Sequence, residues 1–219
     1  MRDPLSLRHW CVIANDGIVA TAGILEGFAG AGATDRTLLV AAVSATIAGM
    51  LGVGGAEWVE ASVEREAQLE LVEEERREIV ARPEAELADL ASHYEARGLA
   101  PDVARTVAEQ LTARDALAAQ LDSEHGIREV TSLGETVLAG VGGAAAYGVG
   151  AFVPLLITWL APVAIEAWAI LVTVAISLTV TSLVTARTGG ARLSRVLVRS
   201  LAVGLGTVLV SYAVGRIVF

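Results

Sequence analysis

The feature that most limits how this chain can fold is residues 38–82, a stretch with no helix breaker. It opens as an uncharged, largely apolar run to Val53, passes through Glu57-Trp58-Val59-Glu60, and ends in Glu73-Glu74-Glu75-Arg76-Arg77-Glu78, with Pro83 the first interruption. As a helix rising 1.5 Å per residue it would be roughly 70 Å long, whereas the hydrocarbon core of a bilayer is about 30 Å thick. Its first half can sit in lipid, and its second half has to stand in water. The rest of the chain is expected to follow suit, with apolar helices around the first half and acidic helices around the second.

Composition supports that division. The 219 residues are 54% hydrophobic, more than a soluble domain usually carries. The formal charge of −9 is unevenly placed: residues 57–129 hold 19 of the 25 acids and 8 of the 16 basic residues, for −11, so the remainder sums to +2. All fixed cations are arginines, since the sequence has no lysine. An acidic exposed segment argues against nucleic acid as a partner, because phosphate binding needs a basic face. Cys11 is the only cysteine, which excludes an intrachain disulfide and a thiolate metal cluster. Arg2 and Arg8 before an apolar run resemble a signal peptide, but Asp16 interrupts the run and further hydrophobic segments follow, so retention is expected.

The pattern predicts an all-α membrane protein with five transmembrane helices. The first covers residues 10–28 and includes Asp16 and Glu26, so it should face a partner or a wet cavity rather than lipid. Thr34 or Asp35 caps the second. Between the second and third spans, residues 84–97 and a stretch from Pro101 past Leu121 read as amphipathic helices. With the end of residues 38–82 they form a three-helix acidic domain. The third span, 133–159, is rich in glycine, which lets membrane helices approach closely; Pro154 is expected to kink it and Ala161-Pro162 to end it. The fourth and fifth cover 165–185 and 198–218. The resulting division is 1–59, 60–131 and 132–219. Arg2, Arg8 and the four arginines between spans four and five place the amino end and the acidic domain in the cytosol. Trp10, Trp58, Trp159 and Trp168 fall near span ends, as interfacial anchors do.

Among the acids, Glu75 and Glu78 are three apart, as are Glu86 and Asp89, and such pairs point to one side of a helix. Helices joined at Pro83 could turn the two pairs toward each other as an oxygen cage for a divalent cation, chemistry that suits Mg, Ca and Mn and tolerates Fe(II) and Zn. Solvated, arginine-paired faces are the alternative from spacing alone, with Glu74–Arg77 and Glu78–Arg82 as candidate pairs. His9, His93 and His125 lack the paired spacing of a zinc site and read as surface residues, His125 beside Glu124 being the one best placed to depart from that. No nucleotide loop, ordered nucleophile or haem motif is present, so the chain is not expected to be an enzyme.

Asn15-Asp16-Gly17-Ile18-Val19, the glycine-rich end of the second span running into an acidic helix, Gly150-x-x-x-Pro154-Leu155-Leu156 and Ser211-Tyr212-Ala213-Val214-Gly215 together resemble the vacuolar iron transporter family. The resemblance covers nearly the whole chain and matches the order of elements. It implies a homodimer that moves Fe(II), and often Mn(II), out of the cytosol by proton antiport. The divalent metal, with Zn(II) also tolerated, is substrate, and no tightly bound cofactor is expected. Carried over, the cage ligands are Glu75, Glu78, Glu86, Asp89 and Glu124, and Asp16 is the acid of the membrane path. The family's plant members carry two methionines where this chain has Gln120 and Leu121, which makes the cage harder. The path methionine falls at Val53, with Met50 one turn earlier as a substitute.

An intramembrane Asp16 lets proton and cation compete for one carboxylate, which is what antiport requires. Glu57 would pass ions from cage to path. Glu26 would serve the exit; either of these two acids could instead pair with Arg36 or sit at the interface. A membrane-anchored metal buffer or sensor would use the same cage without a path, and an interaction scaffold would use the acidic bundle to hold a basic partner. A bacterial source implies the plasma membrane, a eukaryotic one a vacuole-like membrane.

Overall fold

A computed structural model of the chain describes residues 7–160, 163–189 and 192–218. Seven α-helices account for most of them: α1 (Leu7–Gly30), α2 (Asp35–Ala81), α3 (Pro83–Ala96), α4 (Pro101–Gln120), α5 (Leu133–Leu160), α6 (Val163–Gly189) and α7 (Leu193–Val218). A five-residue π-turn, Leu121–His125, follows α4. Five helices, namely α1, α2, α5, α6 and α7, are long and apolar enough to cross a membrane. The Arg2 and Ala161-Pro162 expectations lie outside the described residues.

Local chemistry explains the helix ends. The 47 residues of α2 run unbroken until Pro83 forces Arg82 out of the helical basin, at φ −141° and ψ 52°. Pro83 then opens α3 and Pro101 opens α4, each at a first-turn position that needs no amide donor. Gly98 closes α3 at φ +99°, its N–H returning to the Glu95 carbonyl at 2.8 Å. Thr34 precedes α2, and its carbonyl accepts the Leu38 N–H at 2.9 Å.

Two features depart from the sequence pattern. The stretch from Pro101 past Leu121 is not one smooth helix: Asp115 adopts φ −163° and ψ 94°, and its Oδ1 accepts the Ala118 N–H at 3.0 Å. Asp115 thus acts as an internal N-cap that restarts the helix. The last helix begins at Leu193, five residues before the apolar window at 198; Arg195 lowers the hydropathy of these added residues, which are helical all the same.

The chain divides into two compact units, Met1–Trp58 with Val137–Phe219, and Val59–Thr136. In the first, α1 is the most buried of the candidate spans and the least hydropathic. Ile18, Ala22 and Leu25 of α1 join Leu38 and Ala42 of α2, Ile170, Val174 and Leu178 of α6, and Val208 of α7 in one core; Ile13 joins Ala146, Tyr147 and Ala151 of α5 in another. A helix sheltered this way by its neighbours tolerates polar residues that lipid would not. The outward faces carry large exposed apolar side chains, among them Leu51, Trp159, Trp168, Val203 and Ile217, as lipid contact requires.

Glycines set how closely the spans approach. A Cβ at Gly150 would run into the Ala14 carbonyl, and one at Gly215 into the Gly27 carbonyl. The glycines of the third span are used for packing within the chain: Gly140 meets Trp58, Gly143 meets Glu57 and Gly148 meets Met50. A Cβ at Gly54 would lie 2.8 Å from the Gly140 carbonyl oxygen, while Gly52 has nothing within 4 Å. Gly54→Ala is accordingly expected to lower the melting temperature in detergent through overpacking of about 1–3 kcal/mol. Gly52→Ala should hold or raise it, since helix propensity alone favours alanine by about 0.5–1 kcal/mol. Equal melting shifts for the two variants would contradict the close α2–α5 approach.

In the second unit, Leu90 and Ala91 of α3 pack on Ala108 of α4, with Leu87, Tyr94, Leu111 and Ala119 around them. Buried Gln68 of α2 ties the following connection down, its Oε1 accepting the Thr131 N–H at 2.8 Å.

Candidate metal centre

The second unit gathers the acids of the α2 end, α3 and the π-turn. Glu75 is only 2% exposed, and its Oε1 is buried without a hydrogen-bond partner. Buried polar atoms are nearly always satisfied, so an orphaned carboxylate oxygen calls for an ion or water at that point. Ligand atoms of Glu75, Glu124 and His125 all lie within 4.8 Å of one another. Burial, and then the charges of Glu124, Glu86, Glu78 and Glu74, push the Glu75 carboxyl up to about 7. Glu86, also buried, is raised by burial first, then by Glu78 and Glu124, with Arg82 opposing and Asp89 adding a little.

Those mutual repulsions bring Glu75, Glu78, Glu86, Asp89 and Glu124 into one electrostatic neighbourhood, though not equally. Glu75 and Glu86 are buried, whereas Asp89 and Glu124 are exposed. Glu78 bonds Arg82 at 2.8 Å in a largely solvated i,i+4 pair, so this carboxylate is shared between the cluster and a surface ion pair. The Glu74–Arg77 pairing does not form: Arg76 bonds Glu73 at 2.9 Å, and Arg77 donates to the Glu73 carbonyl.

Gln120 has a role that its sequence position does not reveal. It is buried, and its Nε2 donates to the Glu86 carbonyl at 2.6 Å and to Glu86 Oε2 at 3.2 Å. That clamp fixes one oxygen of the α3 carboxylate. Leu121, the other of the two positions at which the plant members carry methionine, is buried and apolar.

In the first unit, Asp16 is exposed on α1 and lines a cavity of about 560 Å³ with Asn15, Val53, Glu57, Arg199 and Ser200. Asn15 is held by the Thr181 hydroxyl of α6 at 3.2 Å. Glu57 is mostly buried, with His9 Nε2 donating to its Oε2 at 2.9 Å. His9 is therefore an inter-helix partner of the cavity wall, where the sequence read a surface residue. Met50 packs instead against Gly148 and the Tyr147 cluster, and the α2 side of the cavity carries Val53 and Glu57. Glu26 is buried and lines a separate small cavity with Asp35, Leu38 and Ile170.

A family model described as the VIT family matches residues 7–216. A curated relative described as a vacuolar iron transporter, from Acanthamoeba castellanii, is 37% identical over 123 residues, which are 56% of this chain and 44% of that protein. The match thus spans less than half the length of that relative.

Proposed function

Because the chain belongs to the VIT family, we propose that this integral membrane protein exports Fe(II) and Mn(II) from the cytosol in exchange for protons. The observation that carries the reading is the buried Glu75 carboxylate with an orphaned oxygen, surrounded by four more acids. Leaving five carboxylates to repel one another is costly, and a divalent cation offsets that cost directly. The second unit collects the cation in the cytosol. The arginines around the α6–α7 connection and at the amino end support that orientation.

Translocation passes through the Asp16 cavity, with Glu57 at its wall. A cation beside Asp16 favours the carboxylate; its departure favours protonation, so the two cargoes alternate at one site. A second copy of the chain would cover Asp16, because a carboxylate exposed to lipid costs several kcal/mol. The same α1 face continues as an apolar groove of about 640 Å³ whose wall includes Ala20, Gly23, Gly27 and Ala31, small residues that suit close helix packing.

Proteoliposomes test this directly. With Mn(II) or reduced iron on the side of the acidic unit and a proton gradient across the bilayer, cation uptake should be accompanied by a stoichiometric pH change on the opposite side. Cation-dependent flux without a pH change would remove the antiport; saturable binding without flux would leave a buffer or sensor.

A further inference from the structure

The carboxylate cage does not account for His125. Its Nε2 lies 3.9 Å from Glu75 Oε2, too far for a hydrogen bond and within the span of two ligands held by one ion at about 2.0–2.2 Å each. Glu124, adjacent in sequence, brings its oxygen into the same group. Consecutive residues of an α-helix diverge by about 100°, and the wider π-turn Leu121–His125 reduces that divergence. Gly126 at φ +66° ends the turn, its N–H bonding the Leu121 carbonyl, so the donors sit on a defined piece of backbone. The orphaned, buried Glu75 Oε1 is an independent sign that something belongs between these groups.

We propose that His125 supplies a nitrogen ligand to the cation held by Glu75 and Glu124, and so tilts the cage toward borderline transition-metal cations over Mg(II) and Ca(II). Among the described residues, the ligand atoms grouped around Glu75 are otherwise carboxylate oxygens, which alone favour hard cations. Gln120 is committed to Glu86, and Leu121 offers no donor. Imidazole is the one ligand there that favours Fe(II), Co(II) or Zn(II), and its loss should move selectivity rather than abolish binding. The inference rests on the cage reading above and adds to it the class of cation preferred.

The test uses the full chain in detergent micelles, with Co(II), Mn(II) and Mg(II) as probes and His125→Gln and Glu75→Gln as variants. Pulsed electron paramagnetic resonance on bound Mn(II) should detect a directly coordinated ¹⁴N in the wild type and not in His125→Gln. Co(II) affinity should fall roughly tenfold or more in His125→Gln, at least what loss of a supporting partner costs a metal site, with Mg(II) affinity nearly unchanged. Glu75→Gln should weaken all three. If His125→Gln keeps the nitrogen coupling and the Co(II)-to-Mg(II) ratio while Glu75→Gln loses binding, the cage stands and the imidazole ligand is refuted. If the wild type binds none of the probes saturably, the cage reading has failed and this inference with it.

Discussion

Replacing Asp16 by Asn is expected to reduce cation flux in proteoliposomes roughly 100-fold or more while leaving cation binding by the acidic unit unchanged. A cation entering the membrane interior meets a penalty of the same kind as a buried side-chain charge, about 2.5–3.5 kcal/mol even on lenient scales, and each 1.4 kcal/mol is a factor of ten. In the proposed path Asp16 is the α1 carboxylate that would offset this, in a cavity that also presents the guanidinium of Arg199. The amide keeps the shape of the side chain, and Asp16 is exposed rather than packed, so the variant should fold. Asp16→Glu, which restores the charge at a shifted position, should recover part of the flux. Wild-type flux in Asp16→Asn would place the path elsewhere. If neither protein supports flux while both bind cation, the chain is a membrane-anchored buffer or sensor.

Much of this architecture is legible in the sequence, because local chemistry writes it. Pro83, Gly98 and Pro101 mark helix ends through backbone rules that hold wherever they occur, and long apolar windows identify the spans. The paired acids were legible as a face: spacing of three puts Glu75 with Glu78 and Glu86 with Asp89 on one side of their helices. Depth was not legible. The packing of α3, α4 and the π-turn buries Glu75 and Glu86, leaves Glu78 half-buried and leaves Asp89 exposed. The same limit hides every contact between distant residues. Gln120 reaches Glu86 across 34 positions and His9 reaches Glu57 across 48, and no local pattern announces either. The break at Asp115 was more accessible in principle, since an aspartate followed by Ala-Leu-Ala is an N-cap signature; helical periodicity on both sides masked it.

The glycines teach a related lesson. Small residues at close spacing show that some helix comes near, without saying which one. Gly150 and Gly215, both within the motifs that resemble the family, bring α5 and α7 onto α1 inside one chain. Once those faces are occupied, what α1 still exposes is the side bearing Val12 and Asp16. The polar residue that made the first span hard to place in lipid thus lies on the side of α1 that its own chain leaves open.

Glu75→Gln carries the other large expectation, one of opposite sign for stability and for binding. With no cation present, burial and four neighbouring carboxylates raise Glu75 from 4.5 to about 7. The folded unit therefore holds a proton that the unfolded chain has already released between those two values. Its contribution to stability is fully present below about 4.5, is lost as the pH climbs to about 7, and stays lost above, a fall of roughly 2–3 kcal/mol between pH 5 and 8. Amides of residues 59–136 in the cation-free protein should thus exchange faster at pH 8 than at pH 5, beyond the intrinsic rate change. Glu86, shifted the same way, adds to the trend. Cation binding runs in reverse, because the ligand is the carboxylate: affinity should rise with pH by up to tenfold per unit until about 7, then level off. In Glu75→Gln both slopes should shrink, the cation-free unit becoming more protected at pH 8 and cation affinity falling about 100-fold, as loss of one charged ligand in a buried site implies. Cation affinity that is flat from pH 5.5 to 7.5 in the wild type, or unchanged in Glu75→Gln, would mean that the buried carboxylate does not face the cation at all.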